Sequence, residues 1–353
     1  MTKRLGLFTR LLADTPAALP AQVYRNATEQ FVEAERLGFD VGWVAQHHFD
    51  AEEGGLPSPL VFLAGVAANT ARIRLATGII TTALEDPIRV AEDAAVLDAL
   101  SGGRLELGLG SGGSTDAFTI FGKDATRRAA LYGDSVARLV AALAGEPLGG
   151  TGRRLHPDGS RLLDDIWQAT FSAHGAARAG LAGSGLLLSR TQPRTEDAPH
   201  ATLAQLQLPI VAAHAAALAS SGRAAGAAPR VGASRSVLVG RHAERVRDLA
   251  RAGVVRFAQY LRRAGRPAPT GDADALLAAF DVHIGTPEQV ITSLMADPVV
   301  LGASDLIFQV HPTEPGQDAT LESLELLASD VAPALGWSPT GPRSCLRAGS
   351  DHS

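Results

Sequence analysis

The amino-acid sequence predicts an α/β protein, and within that class a (β/α)8 TIM barrel with inserted loops. Two observations lead to this prediction. Eight short segments are apolar on both faces and often β-branched, like strands buried in a parallel sheet. Longer amphipathic segments separate them, in the alternating order of βα units. Eight such units within 353 residues fit one barrel, and an open doubly wound sheet is the alternative.

The predicted strands are short and apolar. They are Leu5–Phe8, Val41–Val44, Ile73–Ile80, Leu105–Leu109, Ile166–Thr170, Leu186–Ser189, Val231–Val239 and Leu306–Val310. The predicted helices place apolar residues on one face, as Phe31, Ala34 and Leu37 do in the first of them. They are Gln22–Leu37, Ile88–Leu100, Arg127–Leu143, Ala173–Ala182, Ala243–Ala264, Thr286–Ala296 and Thr320–Ala334. The second of them is followed by Ser101-Gly102-Gly103, a typical helix stop.

Two segments are predicted to be insertions, and one to be disordered. Gly145–Asp165 is rich in Gly and Arg, and Arg190–Pro229 combines Pro and Thr with an Ala/Gly/Ser run. Each is either a functional lid or binding loop, or a variable surface excursion. The segment from Ser338 to Ser353 has little to bury, so we expect a disordered tail. Residues 1–337 then form a single barrel domain.

The composition excludes several classes of protein. The 32 basic and 37 acidic residues give a net charge of −5, which argues against a protein that binds nucleic acid or an anionic membrane. The single cysteine, Cys345, can form neither an internal disulfide nor a cysteine-type zinc site. The first residues lack the apolar region of a signal peptide, and we expect no membrane span. We therefore expect a soluble, cytoplasmic protein.

The first candidates for chemistry are the adjacent His47 and His48, which follow the strand Val41–Val44. Active sites of parallel barrels lie at the carboxyl ends of the strands. Adjacent strand residues point to opposite faces, so the two imidazoles should not share a metal ion, and we predict no metal site. One of them can act as a general acid or base near neutral pH. The alternative is a histidine that is hydrogen-bonded within a loop.

A glycine-rich segment follows the strand Leu105–Leu109. Gly108, Gly110 and Gly113 satisfy G-x-G-x-x-G, but no helix starts at the third glycine, as the dinucleotide fingerprint requires. We interpret the segment as a βα loop whose backbone approaches a ligand closely, and a plain glycine turn is the alternative. Arg128 begins a later helix and either reaches a phosphate or stays solvated.

Two further strand ends carry polar residues. Ser172 is placed to cap the helix that begins at Ala173. Free N–H groups at a helix start bind anions, so a phosphate fits there, and a simple helix cap is the alternative. Ser189, Arg190 and Gln192 put a hydroxyl, a guanidinium and an amide at the end of the sixth strand. These groups would face the same mouth of the barrel.

The chain resembles the bacterial luciferase-like, flavin-dependent monooxygenases over nearly its whole length. Four stretches carry the resemblance. They are AERLGFDVGWVAQHHF (Ala34–Phe49), RIRLATGIITTALEDPIRVAEDAAVLDALSGGRLELGLGSGG (Arg72–Gly113), IWQATFSAHGAARAG (Ile166–Gly180) and FQVHP (Phe308–Pro312). The long second stretch is the most specific to the family. The resemblance implies a (β/α)8 barrel that binds FMN at the mouth formed by the carboxyl ends of its strands.

The resemblance also implies an activity. Members use reduced FMN from a separate NAD(P)H:flavin reductase, O2 and a small organic substrate, which is oxygenated through a flavin C4a-peroxide. The barrel holds the flavin edge against the substrate and excludes water. A homodimer is expected by analogy, through helices such as Pro59–Asn69 and Ile88–Leu100.

Individual residues carry over from the family by position. Its catalytic histidine matches His47, and Gln46 replaces the acidic residue before it, so we expect no carboxylate beside the histidine. Its non-proline cis peptide bond under the flavin ring falls at Gly78–Ile79. Luciferase has a Cys in the place of Gly110 and a phosphate-binding Arg in the place of Ser111, and neither side chain is present here.

The resemblance implies two further groups of ligand-binding residues. Those expected at the phosphate are Gly110, Ser111, Gly112, Arg128, Ser172 and Gly175. Those expected at the ring system are Gly78, Ile79, Ser189 and Arg190. Arg10 and Gln192 are candidates for substrate binding, and Arg10 and Arg190 either hold an anionic substrate or stay solvated.

Two alternative functions remain open at this stage. The same barrel serves relatives that use the deazaflavin F420 for hydride transfer without O2, and a non-catalytic relative would only bind flavin. The QHH pattern and the FMN-like phosphate segment favour the FMN monooxygenase over the F420 enzyme. The retained His47 and the intact glycine-rich loop argue against a non-catalytic protein.

Overall fold

The computed structural model describes residues 3–12, 19–195, 197–198, 201–222 and 228–339. Its strands are β1 (Arg4–Thr9), β2 (Val41–Val44), β3 (Arg74–Thr77), β4 (Ile80–Thr81), β5 (Leu105–Gly110), β6 (Ile166–Ala169), β7 (Gly185–Leu188), β8 (Val231–Val239), β9 (Val282–Gly285) and β10 (Asp305–Gln309). Eight of these strands pair in parallel in the order β10-β1-β2-β3-β5-β6-β7-β8, and β10 also pairs with β8. The sheet is therefore closed, which confirms the predicted (β/α)8 barrel.

Helices separate the barrel strands along the chain. They are α1 (Pro20–Leu37), α2 (Pro59–Ala67), α3 (Pro87–Ser101), α4 (Thr115–Ile120), α5 (Arg128–Leu143), α6 (Ala173–Leu181), α7 (Leu203–Ser220), α8 (Ala243–Arg263), α9 (Ala273–Ala279), α10 (Pro287–Met295), α11 (Pro298–Gly302), α12 (Gln317–Leu326) and α13 (Ala332–Ala334). Short 3-10 turns precede α5 and β6, and a π-helical turn follows α12. Eight of these helices agree with predicted ones, although the last predicted helix, Thr320–Ala334, is divided among α12, the π-turn and α13.

The predicted strand Ile73–Ile80 is wrong as a single strand, because it is divided into β3 and β4. The side-chain hydroxyl of Thr77 accepts from the backbone N–H of Gly108 and donates to its carbonyl, both at 2.9 Å. These two bonds replace a regular ladder step between β3 and β5. The peptide bond between Gly78 and Ile79 is cis, at the position that the family resemblance indicated.

The predicted insertion Arg190–Pro229 is wrong as a loop, because it contains the 18-residue helix α7. A capping box between Thr202 and Gln205 starts this helix. Its close neighbour is α6, where a Cβ on Gly180 would lie 2.4 Å from the carbonyl oxygen of His214. By length and composition α7 is apolar enough to cross a membrane, but here it is one of the helices around the barrel.

Strand β9 and helix α9 have no counterpart in the sequence prediction. The long strand β8 pairs with β10 from Gly232 to Ser236 and with β9 from Ser236 to Val239. The strand β9 thus extends the sheet beside the barrel opening. Its sequence, VHIG, is short and carries a polar residue, His283, which hid the strand from a search for continuous apolar runs.

A buried ionic cluster occupies the interior of the barrel at the amino-terminal ends of the strands. Glu106, on β5, is fully buried and accepts hydrogen bonds from Arg4, Arg74 and the indole Nε1 of Trp167. Burial alone would raise the pKa of Glu106, but the two guanidinium groups outweigh it and lower that pKa to about 2. The charged and satisfied cluster closes this end of the barrel.

The last described residues lie against the same end. The indole Nε1 of Trp337 donates to Asp40 at 2.7 Å, and the backbones of Lys3 and Trp337 form a parallel bridge. Of the tail predicted to be disordered, residues 340–353 lie outside the described part of the chain. The single domain over residues 1–337 stays a prediction.

Candidate active site

A cavity of about 1850 Å³ opens at the carboxyl ends of the barrel strands. Its floor is apolar and includes Phe8, Trp43, Ile79, Leu187 and Ile307. Pockets for a single small molecule typically measure roughly 300–1,000 Å³, so this cavity has room for more than one ligand. Every residue that the sequence analysis singled out for the site lines it. These are Arg10, Gln46, His47, Gly78, Ile79, Gly110, Ser111, Gly112, Arg128, Ser172, Gly175, Ser189, Arg190 and Gln192.

The glycine-rich loop after β5 forms one side of the cavity. A Cβ on Gly110 would lie 2.7 Å from the side chain of Ile79, so this position has no room for the Cys that luciferase carries. Gly112 has a φ of 72° and would place a Cβ 2.3 Å from Thr81. Arg128, at the start of α5, donates to the carbonyl oxygen of Gly112 at 3.3 Å. The loop is therefore bound to the backbone around it and carries a guanidinium at its outer edge.

The first turn of α6 lies beside this loop in the cavity wall. The hydroxyl of Ser172 accepts from the backbone N–H of Gly175 at 3.1 Å and caps the helix, as predicted. A Cβ on Gly175 would lie 2.2 Å from the hydroxyl of Thr170, so a side chain does not fit there. We define the phosphate cradle as Gly110–Gly113, Arg128 and the first turn of α6. Backbone N–H groups at a helix start, small residues and a guanidinium match the chemistry of a phosphate group.

His47 lies on another side of the cavity, between a cation and an anion. Its Nε2 is 3.0 Å from Nη2 of Arg10, and its Nδ1 is 3.7 Å from Oε1 of Glu53. Glu53 also accepts two hydrogen bonds from Arg266, at 2.8 and 2.9 Å. Burial and the charge of Arg10 lower the pKa of His47 to about 4, so the imidazole is neutral at physiological pH.

The expectation that no carboxylate lies beside the histidine is wrong. Gln46 replaces the acidic neighbour in sequence, but Glu53 reaches His47 from the loop that follows. Burial raises the pKa of Glu53, yet its contact with His47 and the hydrogen bonds that it accepts from Arg266 lower that pKa overall. Glu53 lies six positions after His47, so a pattern of adjacent residues could not reveal this contact.

Gln46 is bound to three other groups. Its side-chain oxygen accepts from the backbone N–H of Thr81 at 2.7 Å. Its amide nitrogen donates to the carbonyl oxygen of Pro57 at 3.0 Å and to Oε1 of Glu85 at 2.7 Å. With 7% of its surface exposed, the side chain ties the loop after β2 to strand β4. These bonds hold the loop that carries His47 against β4.

The histidine next to it has a different environment. The ring of His48 packs edge-on against Phe121, with centroids 5.0 Å apart, and against Phe49 at 5.7 Å. Phe49 and Phe121 are both exposed on the rim of the barrel. Of the two candidates, His47 is thus the one bonded to charged groups within the cavity.

The residues after β7 complete the wall. Ser189 and Thr191 share a hydroxyl hydrogen bond of 2.8 Å, and the amide of Gln192 donates to the carbonyl oxygen of Phe171 at 2.9 Å. Arg190 is only 5% exposed. Burial and then the charge of Arg10 lower the pKa of Arg190 to about 9.

Some residues of the site have no signal in the sequence. Arg266 and Tyr260 lie in no motif, and each reaches the site only through the fold. Tyr260, on α8, donates to a carboxylate oxygen of Asp50 at 2.6 Å, across 210 residues of sequence. Such contacts join the loop after β2 to the end of α8, about 210 residues away in sequence. No pattern of neighbouring residues predicts them.

Comparison with known proteins adds to this geometry. A family model described as luciferase-like monooxygenase matches residues 4–304. The limonene 1,2-monooxygenase of Rhodococcus erythropolis is 29% identical over 330 residues, which cover 88% of this chain and 80% of that protein. The matches to two proteins of Sinorhizobium fredii, at 32% and 36% identity, span only 50% and 40% of the length of those relatives.

Two solved structures share the fold. The oxygenating constituent of the 3,6-diketocamphane monooxygenase of Pseudomonas putida, in complex with FMN, has a TM-score of 0.72 and 18% identity. The comparison covers 94% of this chain and 98% of that one. The F420-dependent tetrahydromethanopterin reductase of Methanopyrus kandleri has a TM-score of 0.66 and 16% identity, and the comparison covers 95% of this chain and 100% of that one.

Proposed function

Because this chain belongs to the luciferase-like monooxygenase family, we propose that it is a two-component, FMN-dependent monooxygenase. It takes reduced FMN from a separate NAD(P)H:flavin reductase and uses O2 to oxygenate a small organic substrate. The observation that carries this proposal is the arrangement of one large cavity, with a phosphate cradle on one side and His47 on another. A cradle for the cofactor and a neutral imidazole near the remaining space are what such a reaction requires.

The residues of the cavity divide between the two ends of the cofactor. In this proposal Gly110, Ser111, Gly112, Arg128, Ser172 and Gly175 hold the phosphate. The ring system lies against Gly78, Ile79, Ser189 and Arg190. The absence of side chains at Gly110, Gly112 and Gly175 supports this assignment, because a Cβ would not fit at any of them.

Reduced FMN, when bound, supplies the electrons that activate O2. The chain's own residues supply the surroundings. The apolar floor excludes water from the reacting atoms. His47 presents a neutral imidazole that can hold or release a proton at Nε2 or Nδ1. Glu53 and Arg10 fix the ring from its two nitrogens, and Gln46 fixes the loop that carries it.

The alternative is an F420-dependent oxidoreductase that transfers hydride without O2. Two structural neighbours, the tetrahydromethanopterin reductase and a secondary alcohol dehydrogenase, are named as F420-dependent. So is a glucose-6-phosphate dehydrogenase of Kineococcus radiotolerans that is 38% identical over 104 residues. That match covers 25% of this chain and 30% of that protein. The near-complete match to the limonene monooxygenase favours oxygenation.

A homodimer in the cytoplasm is part of the same proposal. Exposed apolar side chains on α2 and α3 support it, because Val61 is 75% exposed and Leu100 is 70% exposed. The partner besides this second copy is the flavin reductase. The net charge of −5 supports neither a nucleic acid nor an anionic membrane as a partner.

The test is flavin affinity, measured by fluorescence quenching with oxidised FMN, anaerobically reduced FMN and F420. We expect the tightest binding for reduced FMN, followed by transfer of oxygen from isotopically labelled O2 into product in a substrate screen. Tighter binding of F420 would move the function to hydride transfer. Binding of FMN without any oxygen transfer would indicate the non-catalytic relative, and binding of no flavin would contradict the proposal.

The same measurement locates the phosphate through Ser172→Asp. Aspartate is also a good helix cap, so α6 should stay folded while a negative charge enters the cradle. We expect the FMN dissociation constant to rise at least about tenfold, because like charges repel. Thr286→Asp, at the start of the equally long helix α10, is the matched control. An unchanged FMN affinity in Ser172→Asp would mean that the phosphate binds elsewhere.

A further inference from the structure

Two guanidinium groups enter the cavity without an acidic partner. Arg10 follows β1 and Arg190 follows β7, and within the described part of the chain neither forms an ion pair with a carboxylate. Arg190 is 5% exposed, and its Nε donates to Oε1 of Gln309 at 3.4 Å. The second terminal nitrogen of Arg190 and Nε of Arg10 are buried and find no hydrogen-bond acceptor among the described residues.

The acidic residues near them are bound to other groups. The carboxylate of Glu53 lies against Arg266, at 2.8 and 2.9 Å. Glu314 contacts Nδ1 of His311 at 2.6 Å. Burial and the neighbouring guanidinium groups keep the pKa of His311 well below its ordinary value, so it adds no positive charge. These contacts leave the two arginines as cations that face the cavity.

Glu53, Glu314 and Asp281 act on these cations only at a distance, and a buried cation that lacks a directly bonded counter-ion is costly in the folded protein. Arginine has five N–H donors in a planar fork, which matches the two oxygens of a carboxylate. The natural counter-ion is therefore an anion that enters the cavity from solution. The phosphate cradle has a guanidinium of its own, Arg128, so a phosphate bound there is matched without Arg10 and Arg190.

We propose that Arg10 and Arg190 bind a carboxylate group of the substrate, so that the enzyme acts on organic acids. The apolar remainder of the molecule would lie on the floor formed by Phe8, Trp43 and Ile307. This inference rests on the proposed function, which supplies the oxygenation, and it adds the class of substrate. It also explains why a cavity with an apolar floor contains two cations.

Carboxylates and their neutral amides provide matched probes. Phenylacetate, cyclohexanecarboxylate and octanoate, each with its amide, are titrated by calorimetry into the flavin-free and the FMN-loaded protein. We expect at least one acid to bind, and to bind more tightly than its amide. Arg190→Gln and Arg10→Gln should each weaken the binding of that acid about ten- to a hundredfold, the range expected for a lost charge-assisted hydrogen bond. The affinity for the amide should stay unchanged.

Three controls make the result specific. Arg89→Gln removes an exposed arginine on α3 and should change nothing. Arg190→Lys keeps the charge without the planar fork and should show an intermediate loss. The thermal midpoint of each variant establishes that it is folded. Because acid binding is also measured without flavin, a failure of this inference is distinguishable from a failure of the proposed flavin chemistry.

Two outcomes would overturn the inference. In the first, no acid binds more tightly than its amide. In the second, Arg10→Gln and Arg190→Gln leave the difference in affinity between the acid and its amide unchanged. Loss of that difference in both variants, measured on the flavin-free protein, supports the inference.

Discussion

His47 derives its chemistry from residues that are distant in sequence. Arg10 lies 37 positions before it, and Arg266, which holds the neighbouring Glu53, is 213 positions after that glutamate. The imidazole thus has a cation at one nitrogen and an anion near the other, and it stays neutral down to about pH 4. A neutral, fixed imidazole is suited to proton transfer within a cavity that excludes water.

We predict that His47→Ala retains flavin binding and loses most oxygenation. The side chain lies outside the phosphate cradle, so the FMN dissociation constant should stay within about twofold. The rate of product formation should fall about a hundredfold or more, the typical contribution of a positioned acid or base. Flavin titration and product analysis on the same samples check both points. His242→Ala, on the exposed start of α8, is the control. Turnover at the wild-type rate in His47→Ala would remove the acid–base role.

At the scale of elements, α6 and α7 pack so closely that a glycine is required between them. A Cβ on Gly180 would lie 2.4 Å from the carbonyl oxygen of His214 and 2.9 Å from the backbone nitrogen of Leu218. Gly133, inside α5, has no such neighbour within 4 Å. The same substitution should therefore have opposite effects at the two positions.

We predict that Gly180→Ala lowers the free energy of unfolding by about 1–3 kcal/mol, because it forces two backbones apart. Gly133→Ala should raise it by about 0.5–1 kcal/mol, because alanine favours an unobstructed helix. Urea denaturation of both variants measures the difference. Equal effects of the two substitutions would show that α6 and α7 can move apart without lowering the free energy of unfolding.

Sequence patterns located elements better where burial is continuous than where it is partial. The predicted strand Val231–Val239 matches β8 at both ends, since all nine residues are buried. The helix α7 was missed because Pro209 lies inside it and its apolar residues are spread around the helix instead of forming one face. Its capping box at Thr202 and Gln205 was the available signal.

Prediction of the site depended on a different kind of information. The resemblance to a family located the histidine and the glycine-rich loop, and all the residues that it indicated line the cavity. The partners that set their charge, such as Glu53 and Arg266, come together only in the folded chain. Their identity depends on packing between the loop after β2 and the end of α8, which a single sequence does not encode as a motif.

At the scale of the whole molecule, buried histidines make the fold sensitive to acid. Burial is the first cause that lowers the pKa of His47 and of His283, both to about 4 from an ordinary value of 6.5, and it acts on His311 in the same direction. Between pH 6.5 and 4, these histidines therefore bind protons in the unfolded chain but not in the folded chain. Stability is complete above about pH 6.5 and falls as the pH drops through this range.

We predict a lower urea midpoint at pH 5 than at pH 7, with a loss on the order of 1–3 kcal/mol for each such histidine as pH 4 is approached. The buried carboxylate Glu106 contributes only at lower pH, because its pKa is about 2 in the folded chain and its ordinary value is 4.5. His283→Gln should reduce the difference between the two midpoints. Equal midpoints at pH 5 and pH 7 would contradict the prediction.

The closed amino-terminal end of the barrel determines how ligands enter and leave the enzyme. Glu106 and its partners close the barrel axis at the amino-terminal ends of the strands, so ligands enter and leave at the carboxyl ends. When two ligands use the same opening, the more deeply bound ligand must enter first and leave last. The sequence of binding is then set by depth, and an excess of the outer molecule delays release of the inner one. A few buried charges at the bottom of a barrel can in this way impose an order on events at its top.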